Sequence, residues 1–242
     1  MRTYRPQQRQ LSRIALILAL VALAGALTAP RGSAATSLAW RVAPENSVRG
    51  VPDGVAWQDG RAYGAWRSEF NGYGTTTVRA LKHRLLSERP KASARPTETH
   101  ASLVTTLRRY GDVDATVRMR TVRQLRTGSK PNPWEVAWFL WNYQDNSHFY
   151  YLVLKPTGWE LGKEDPAYRG AQRFLATGPG NYPVGQWHNV RIRQVGNVIT
   201  AWANGVLLTR LRDVERPYLS GRIGLYSEDS EVRFRRVVLR TR

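Results

Sequence analysis

The sequence predicts an all-β protein, a sandwich of two antiparallel sheets. Three observations carry that prediction. Short alternating or wholly apolar runs recur from Trp66 to Leu239. Turn dipeptides separate them. Beyond the first 35 residues, no long stretch repeats its apolar residues at the 3.6-residue period of a helix.

Residues 1–35 have the three parts of a secretory signal peptide. Arg2, Arg5, Arg9 and Arg13 precede the uncharged apolar run 14–29, and the small residues Ser33-Ala34-Ala35 follow Pro30. The sixteen residues of that run fall short of the roughly twenty that span a bilayer. The expectation is therefore export, cleavage after Ala35 and no stable membrane insertion, with the protein secreted and extracellular. The chain has no cysteine, which excludes a lipoprotein anchor, disulfides, a thiol nucleophile and thiolate metal sites together. Residues 36–65 show no period and predict a loose lead-in carrying Trp40 and Trp57. The folded domain is predicted over 66–242.

Within it the expected strands are Thr75–Leu81, Ala101–Thr106, Asp114–Met119, Val136–Trp141, Phe149–Leu154, Trp159–Leu161, Gln172–Ala176, Asn189–Gln194, Val198–Ala203, Gly205–Leu211, Gly221–Tyr226 and Val232–Leu239. The polar, Pro-containing segment Ser87–Thr99 reads as a surface loop. Asn204-Gly205 is the strongest hairpin signal, because a type I′ turn needs positive φ at both central residues. Asp145-Asn146 is expected to join the two aromatic strands as a two-residue turn. Gln144 then faces Ser147, Tyr143 faces His148, Trp141 faces Tyr150 and Phe139 faces Leu152.

The stretch from Pro131 to Asp165 concentrates Trp134, Trp138, Trp141, Tyr143, Phe149, Tyr150, Tyr151 and Trp159 beside a few polar groups. The apolar face of a sugar ring stacks on an aromatic ring, and its hydroxyls take hydrogen bonds from neighbouring polar groups. The competing account is a Trp-rich sandwich core. Alternation puts Glu135, Trp141, Tyr143, His148 and Tyr150 on one face, and Val136, Trp138, Leu140, Tyr151 and Val153 on the other. The second set makes the better core and the first the better groove; a one-residue register error exchanges them. The predicted binding residues are Trp141, Tyr143, His148, Tyr150, Lys155 and Trp159, with Lys163 and Asp165 as further candidates. A salt-bridged turn before Pro166 is the plainer account of Lys163-Glu164-Asp165.

The formal net charge is +19; cleavage after Ala35 removes five arginines and leaves +14. Such an excess suits an anionic polymer outside the cell. The charges are nevertheless scattered, and Arg118, Arg120, Arg191, Arg193, Arg233 and Arg235 alternate with other residues as solvent-facing strand positions do. No nucleic-acid-binding module is recognisable.

The C-terminal half carries a familiar order of features: Gly185-Gln186-Trp187-His188-Asn189-Val190-Arg191-Ile192, then Val198-Ile199 through Asn204-Gly205, then Ser220-Gly221-Arg222-Ile223-Gly224-Leu225 and the closing Val232-Arg233-Phe234. This order, with the upstream run from Trp141 to Tyr151, resembles the concanavalin A-like lectin/glucanase jelly roll. Its branch related to 3-keto-disaccharide hydrolases and laminin-G modules matches best, over roughly Trp66 to Leu239. The resemblance implies two curved antiparallel sheets, glycans bound on the concave one, and in many members a structural calcium ion. It departs from the laminarinase type, whose E-x-D-x-x-E motif is missing, and at the calcium position, where Arg235 follows Phe234.

A retaining glycosidase needs two carboxyl groups about 5–5.5 Å apart and an inverting one about 6.5–9.5 Å. Glu135, beside Trp134, is the predicted acid, with Glu160 or Glu164 as its partner. No histidine or carboxylate spacing predicts a transition-metal site, and no cofactor is expected. The sequence thus supports a monomeric carbohydrate- or polysaccharide-binding protein, with a glycoside hydrolase on the same fold, or a calcium-stabilised or polyanion-binding envelope protein, as alternatives.

Overall fold

Side chains alternate across a strand, so each strand writes one sequence on the core and another on its outer face. The computed structural model describes residues 39–43, 48, 51–80, 84–95 and 97–242; the expected leader over 1–35 lies outside the described residues. The strands are β1 (Arg41–Val42), β2 (Ala62–Tyr63), β3 (Trp66–Phe70), β4 (Thr75–Ala80), β5 (Arg84–Arg89), β6 (Ala101–Thr106), β7 (Val113–Gln124) and β8 (Ala137–Asp145). They continue as β9 (His148–Lys155), β10 (Gly158–Glu164), β11 (Gln172–Gly178), β12 (His188–Val195), β13 (Val198–Ala203), β14 (Val206–Arg212), β15 (Arg222–Glu228) and β16 (Ser230–Thr241). The first sheet runs β14-β13-β12-β7-β16-β5-β4, with β1 also paired to β16. The second runs β11-β10-β9-β8-β15-β6-β3-β2.

Between the sheets lies the main core. The first sheet contributes Val117, Met119, Val190, Ile192 and Phe234, and the second Phe139, Trp141, Tyr150, Leu152 and Leu225. Burying each such side chain contributes about 1.5–3 kcal/mol. A smaller cluster forms on the other side of the second sheet, from Leu103, Trp138, Leu140, Tyr143, Tyr151 and Val153, with Phe149 and Tyr226 against it. Strand β8 is consequently buried on both faces from Ala137 to Tyr143.

The Asn204-Gly205 hairpin forms as expected. Ala203 pairs Val206, and the two turn residues have φ of 50° and 85°. In the aromatic hairpin, Trp141 does pair Tyr150 and Phe139 does pair Leu152, but Asp145 pairs His148, so Asn146-Ser147 makes the turn. The difference is a bulge between Trp141 and Asp145. Asn142 sits in it at φ 49°, its amide donating to the Tyr218 carbonyl at 2.7 Å. Gly221 permits this backbone approach, since a Cβ there would lie 2.2 Å from the Asn142 carbonyl carbon. The extra residue turns Tyr143 to the face opposite Trp141.

Two further expectations need correction. The segment 36–65 is not a loose lead-in where it is described: β1 pairs β16, β2 pairs β3, and Ala43, Val51 and Trp57 join the main core. The loop expected from Ser87 begins inside β5, and Glu88 is buried there, accepting from Ser102 Oγ at 2.9 Å. A polar composition concealed this strand because its inward position is a carboxyl group.

Candidate functional site

The outer face of the second sheet carries a groove of about 560 Å³. Strand alternation builds it. Trp138, Phe149, Lys155, Glu160 and Glu164 point outward from β8, β9 and β10, as their neighbours Phe139, Tyr150, Leu154 and Leu161 join the main core. Gln172 and Phe174 come from β11, Tyr226 and Glu228 from β15, and Pro133, Trp134, Asn146 and Thr157 from turns. Trp134 and Phe174 are 44% and 55% exposed, so their rings remain available to a ligand. Trp138 is held below them, its indole donating to the Trp134 carbonyl at 2.8 Å and its ring meeting Tyr226 edge-on at 5.5 Å. Gly162, between Glu160 and Glu164, leaves room for the Tyr151 phenol; a Cβ there would lie 2.3 Å from its oxygen.

Charge in the groove is unevenly matched. Lys155 and Glu160 form an ion pair, and burial pulls the Lys155 ammonium below its ordinary pKa. Among the described residues, Glu164 has no such cation. Burial, reinforced by the nearby Glu228 carboxylate, pushes its pKa to about 7. Burial also raises Glu228; a hydrogen bond from Tyr226 at 2.6 Å opposes this, and the charges of Asp229 and Glu135 add to it. The groove therefore holds two carboxyl groups that resist ionisation, one of them titrating near neutrality.

The structure brings only some of the predicted residues to this groove. Lys155, Glu160 and Glu164 line it. Trp141 and Tyr150 do not: both are fully buried between the sheets, stacked at 5.5 Å. The Trp141 indole donates to Gln194 of the first sheet at 2.7 Å, and the Tyr150 hydroxyl to Asp213 at 2.6 Å. The two faces were grouped largely as alternation dictates, but their roles are exchanged, because the face of Trp141 and Tyr150 is the one that packs on the first sheet. Trp159 also belongs to the main core. Tyr143 lies in the outer cluster, bonded to Asn146 at 2.7 Å, and burial with the Glu69 and Asp145 charges pushes its pKa up to about 12. His148 is half-buried beside the turn, 2.9 Å from Asp145, with its ring edge-on to Tyr218.

Lys163 is completely enclosed. Its ammonium bonds Asp213 at 2.8 Å and lies over the Tyr150, Tyr168 and Tyr218 rings, so it is an internal counter-ion rather than a ligand contact. Asp165 holds its own turn: it accepts from Ala167 N at 2.9 Å and pairs Arg216 at 3.0 Å. Glu135 is 1% exposed and locked to Arg126 at 2.6 Å, in a buried cluster where Arg126 also binds Asp229 at 2.7 Å. An enclosed carboxylate held by a guanidinium is poorly placed to protonate a leaving group. The groove-facing carboxyl groups that form no ion pair among the described residues are Glu164 and Glu228. Sequence reasoning missed Glu228 and Tyr226; their two-residue spacing puts them on one face, but nothing local says that Tyr226 pairs Trp138. Among the described residues, no group of three or more His, Asp or Glu side chains could hold a metal ion.

Two antiparallel sheets with this groove on one outer face define a concanavalin A-like jelly roll, the architecture shared with lectins and glucanases. The chain belongs to the 3-keto-alpha-glucoside-1,2-lyase-like domain family, whose model matches residues 55–240. Solved structures agree on the fold. Carbohydrate-binding module CBM66 from Bacillus subtilis superposes with a TM-score of 0.54 at 12% identity, over 75% of this chain and 97% of that one. A protein of unknown function with a galectin-like fold, also from Bacillus subtilis, gives 0.52 at 12% identity, over 79% and 99%. The Bacillus licheniformis beta-glucanase gives 0.50 at 14% identity, over 84% and 98%. No curated protein matches the chain in sequence.

Proposed function

We propose that this protein is an exported carbohydrate-binding protein that holds a neutral sugar chain in the outer groove of its second sheet. One observation carries the reading: the accessible rings of Trp134 and Phe174 flank a polar floor of Lys155, Glu160, Asn146 and Gln172. Rings at the rim stack on the apolar face of a sugar, and the floor satisfies its hydroxyls. The family and the carbohydrate-binding module of the same fold support this reading. The leader-like residues 1–35 support export. A glycan array on the purified protein, followed by calorimetry with the best ligand, tests the groove. Trp134→Ala is expected to weaken that ligand about tenfold to a hundredfold, the equivalent of about 1–3 kcal/mol of lost burial. Unchanged affinity in the variant would refute the site.

A second reading is favoured by Glu164 and Glu228. The family's name describes lyases acting on 3-keto-glucosides. In such a sugar the C2 proton is acidified by the adjacent C3 ketone. A carboxylate can take that proton while the C1–O bond breaks; a C1=C2 double bond forms and the departing oxygen is protonated by a second carboxyl group. Glu164, with its pKa near 7, can serve either role at neutral pH, and Glu228 the other. Mass spectrometry of a 3-keto-glucoside incubated with the protein tests this. Turnover that Glu164→Gln lowers at least about a hundredfold, with binding retained, would establish the enzyme over the binding protein.

A further inference from the structure

The outer face of the first sheet, on the opposite side of the sandwich from the groove, is built of arginine. Val117, Met119, Val190, Ile192 and Phe234 point into the core, so Arg118, Arg120, Arg191, Arg193, Arg233 and Arg235 point away from it. The register makes this more than a scatter of charges. Arg118 on β7 lies directly opposite Arg235 on β16, and Arg120 directly opposite Arg233. Like charges directly opposed on adjacent strands are destabilising, and here two consecutive outward pairs have that arrangement. Two strands from Arg193, across Thr200, Arg210 on β14 lines with it a hollow of about 520 Å³ that Trp202 and Arg242 also border. Among the described residues, the carboxylates bonded to this face are already engaged. Asp114 is occupied by Arg191 at 2.8 and 2.6 Å, and Glu231 by Arg123 at 3.0 Å and Arg233 at 3.5 Å.

The guanidinium groups are also held in place. Arg235 and Arg118 lie 4.2 and 5.8 Å from the Trp187 ring, Arg191 4.9 Å from Trp202, and Arg242 and Arg193 4.8 and 5.3 Å from Trp40. Stacking on indole orients a planar fork and reduces the entropy lost when it binds an anion. Among the described residues, the Nε–H groups of Arg118, Arg120, Arg193, Arg233 and Arg235 are enclosed without an acceptor, so hydrogen bonding to a ligand falls to the outer nitrogens. Burial, with the charges of Arg118 and Arg236, already lowers the Arg235 pKa, as cation crowding requires.

We propose that this face is a second binding site, for an acidic polysaccharide bearing carboxylate or sulfate groups along its chain. Positive groups repeat about 6.7 Å along a strand and about 4.8 Å across strands, so a polymer with regularly repeated anionic groups satisfies several forks together. Guanidinium forks match planar and tetrahedral oxyanions. Guanidinium groups lie over the Trp187, Trp202 and Trp40 rings and compete there with a nucleobase for stacking, which disfavours single-stranded nucleic acid. The choice of a glycan over other polyanions rests on the carbohydrate reading of the groove; the cationic face itself does not.

Binding of the full chain to polygalacturonate, dextran sulfate, uncharged dextran and oligothymidylate tests the site, with the double variant Arg118→Gln/Arg235→Gln and the groove variant Trp134→Ala. A thermal melt of the double variant confirms folding; removing opposed like charges is expected to leave it intact. The expected result is salt-sensitive binding of polygalacturonate or dextran sulfate, the tighter of the two identifying the anion. The double variant should weaken it at least about tenfold and Trp134→Ala should not, while uncharged dextran gains nothing from this face. Equal polyanion affinity in the double variant, no polyanion binding at low salt, or tighter binding of oligothymidylate than of both acidic polysaccharides would overturn the proposal. Failure of the groove reading shows separately, as neutral-glycan binding that Trp134→Ala leaves unchanged.

Discussion

Replacing Trp141 with alanine separates core from groove most sharply. The indole is fully buried, stacks on Tyr150 at 5.5 Å and Phe139 at 6.4 Å, and donates to Gln194 at 2.7 Å across the sandwich. Truncating a buried aromatic to alanine costs about 3–5 kcal/mol through lost transfer energy and the cavity left behind. Gln194 loses the partner of its carbonyl oxygen, although its amide keeps Gly196 O and Tyr218 O at 2.8 Å, so the cost belongs in the upper part of that range. For a domain of this size each kcal/mol lowers Tm by about 2–4 °C, so a cost of about 4–5 kcal/mol predicts a fall of about 8–20 °C. Circular dichroism melts measure it. Trp134→Ala, made at an exposed ring, is the control: its Tm should move little, since surface changes fall within about 0.5 kcal/mol, while glycan affinity drops. A Trp141→Ala protein that keeps the parent Tm but loses glycan binding would show that the two faces had been assigned the wrong way round.

The remaining expectations concern charge. Arg126→Ala leaves Glu135 and Asp229 buried without their cation and should cost about 3–5 kcal/mol, read from denaturant unfolding; a loss under about 1 kcal/mol would mean that the cluster is solvated. Glu88 has its pKa raised well above 4.5 by burial. Its contribution to stability is present below pH 4.5 and lost as pH rises through the elevated folded value. Glu88→Gln should therefore raise Tm at pH 8 and change it little at pH 4; the reverse trend would contradict a neutral buried carboxyl. For Glu164 the same sign applies with the loss falling between pH 4.5 and about 7, and a carboxyl carbon NMR titration with its midpoint below pH 5 would remove it as a neutral-pH acid. Neutral-glycan binding in the groove should survive 0.5 M salt, where the Debye length is only a few ångströms, because stacking is little screened.

What the sequence determined by itself was local. Alternating runs and turn chemistry gave the all-β class, the Asn204-Gly205 hairpin and most strand positions, because side-chain parity and positive φ depend on near neighbours. The same parity separated Trp141 and Tyr150 from Trp138 and Tyr151, and picked out Lys155, Glu160 and Glu164 as polar groups near the aromatics. It could not say which face turns inward. β8 and β9 are apolar on both sides, so only the packing of the first sheet, through Gln194, Ile192 and Phe234, decides that Trp141 is core. The bulge at Asn142 is equally non-local, made by Tyr218 and Gly221 from a distant loop. So is the sharing of one groove by two carboxyl groups: Glu164 on β10 and Glu228 on β15 are separated by β9 and β8, and line the same groove only because β15 pairs β8. The arginine face follows the same logic. Each strand shows its arginines as ordinary solvent positions, and only the antiparallel register of β7 with β16 sets Arg118 against Arg235 and Arg120 against Arg233.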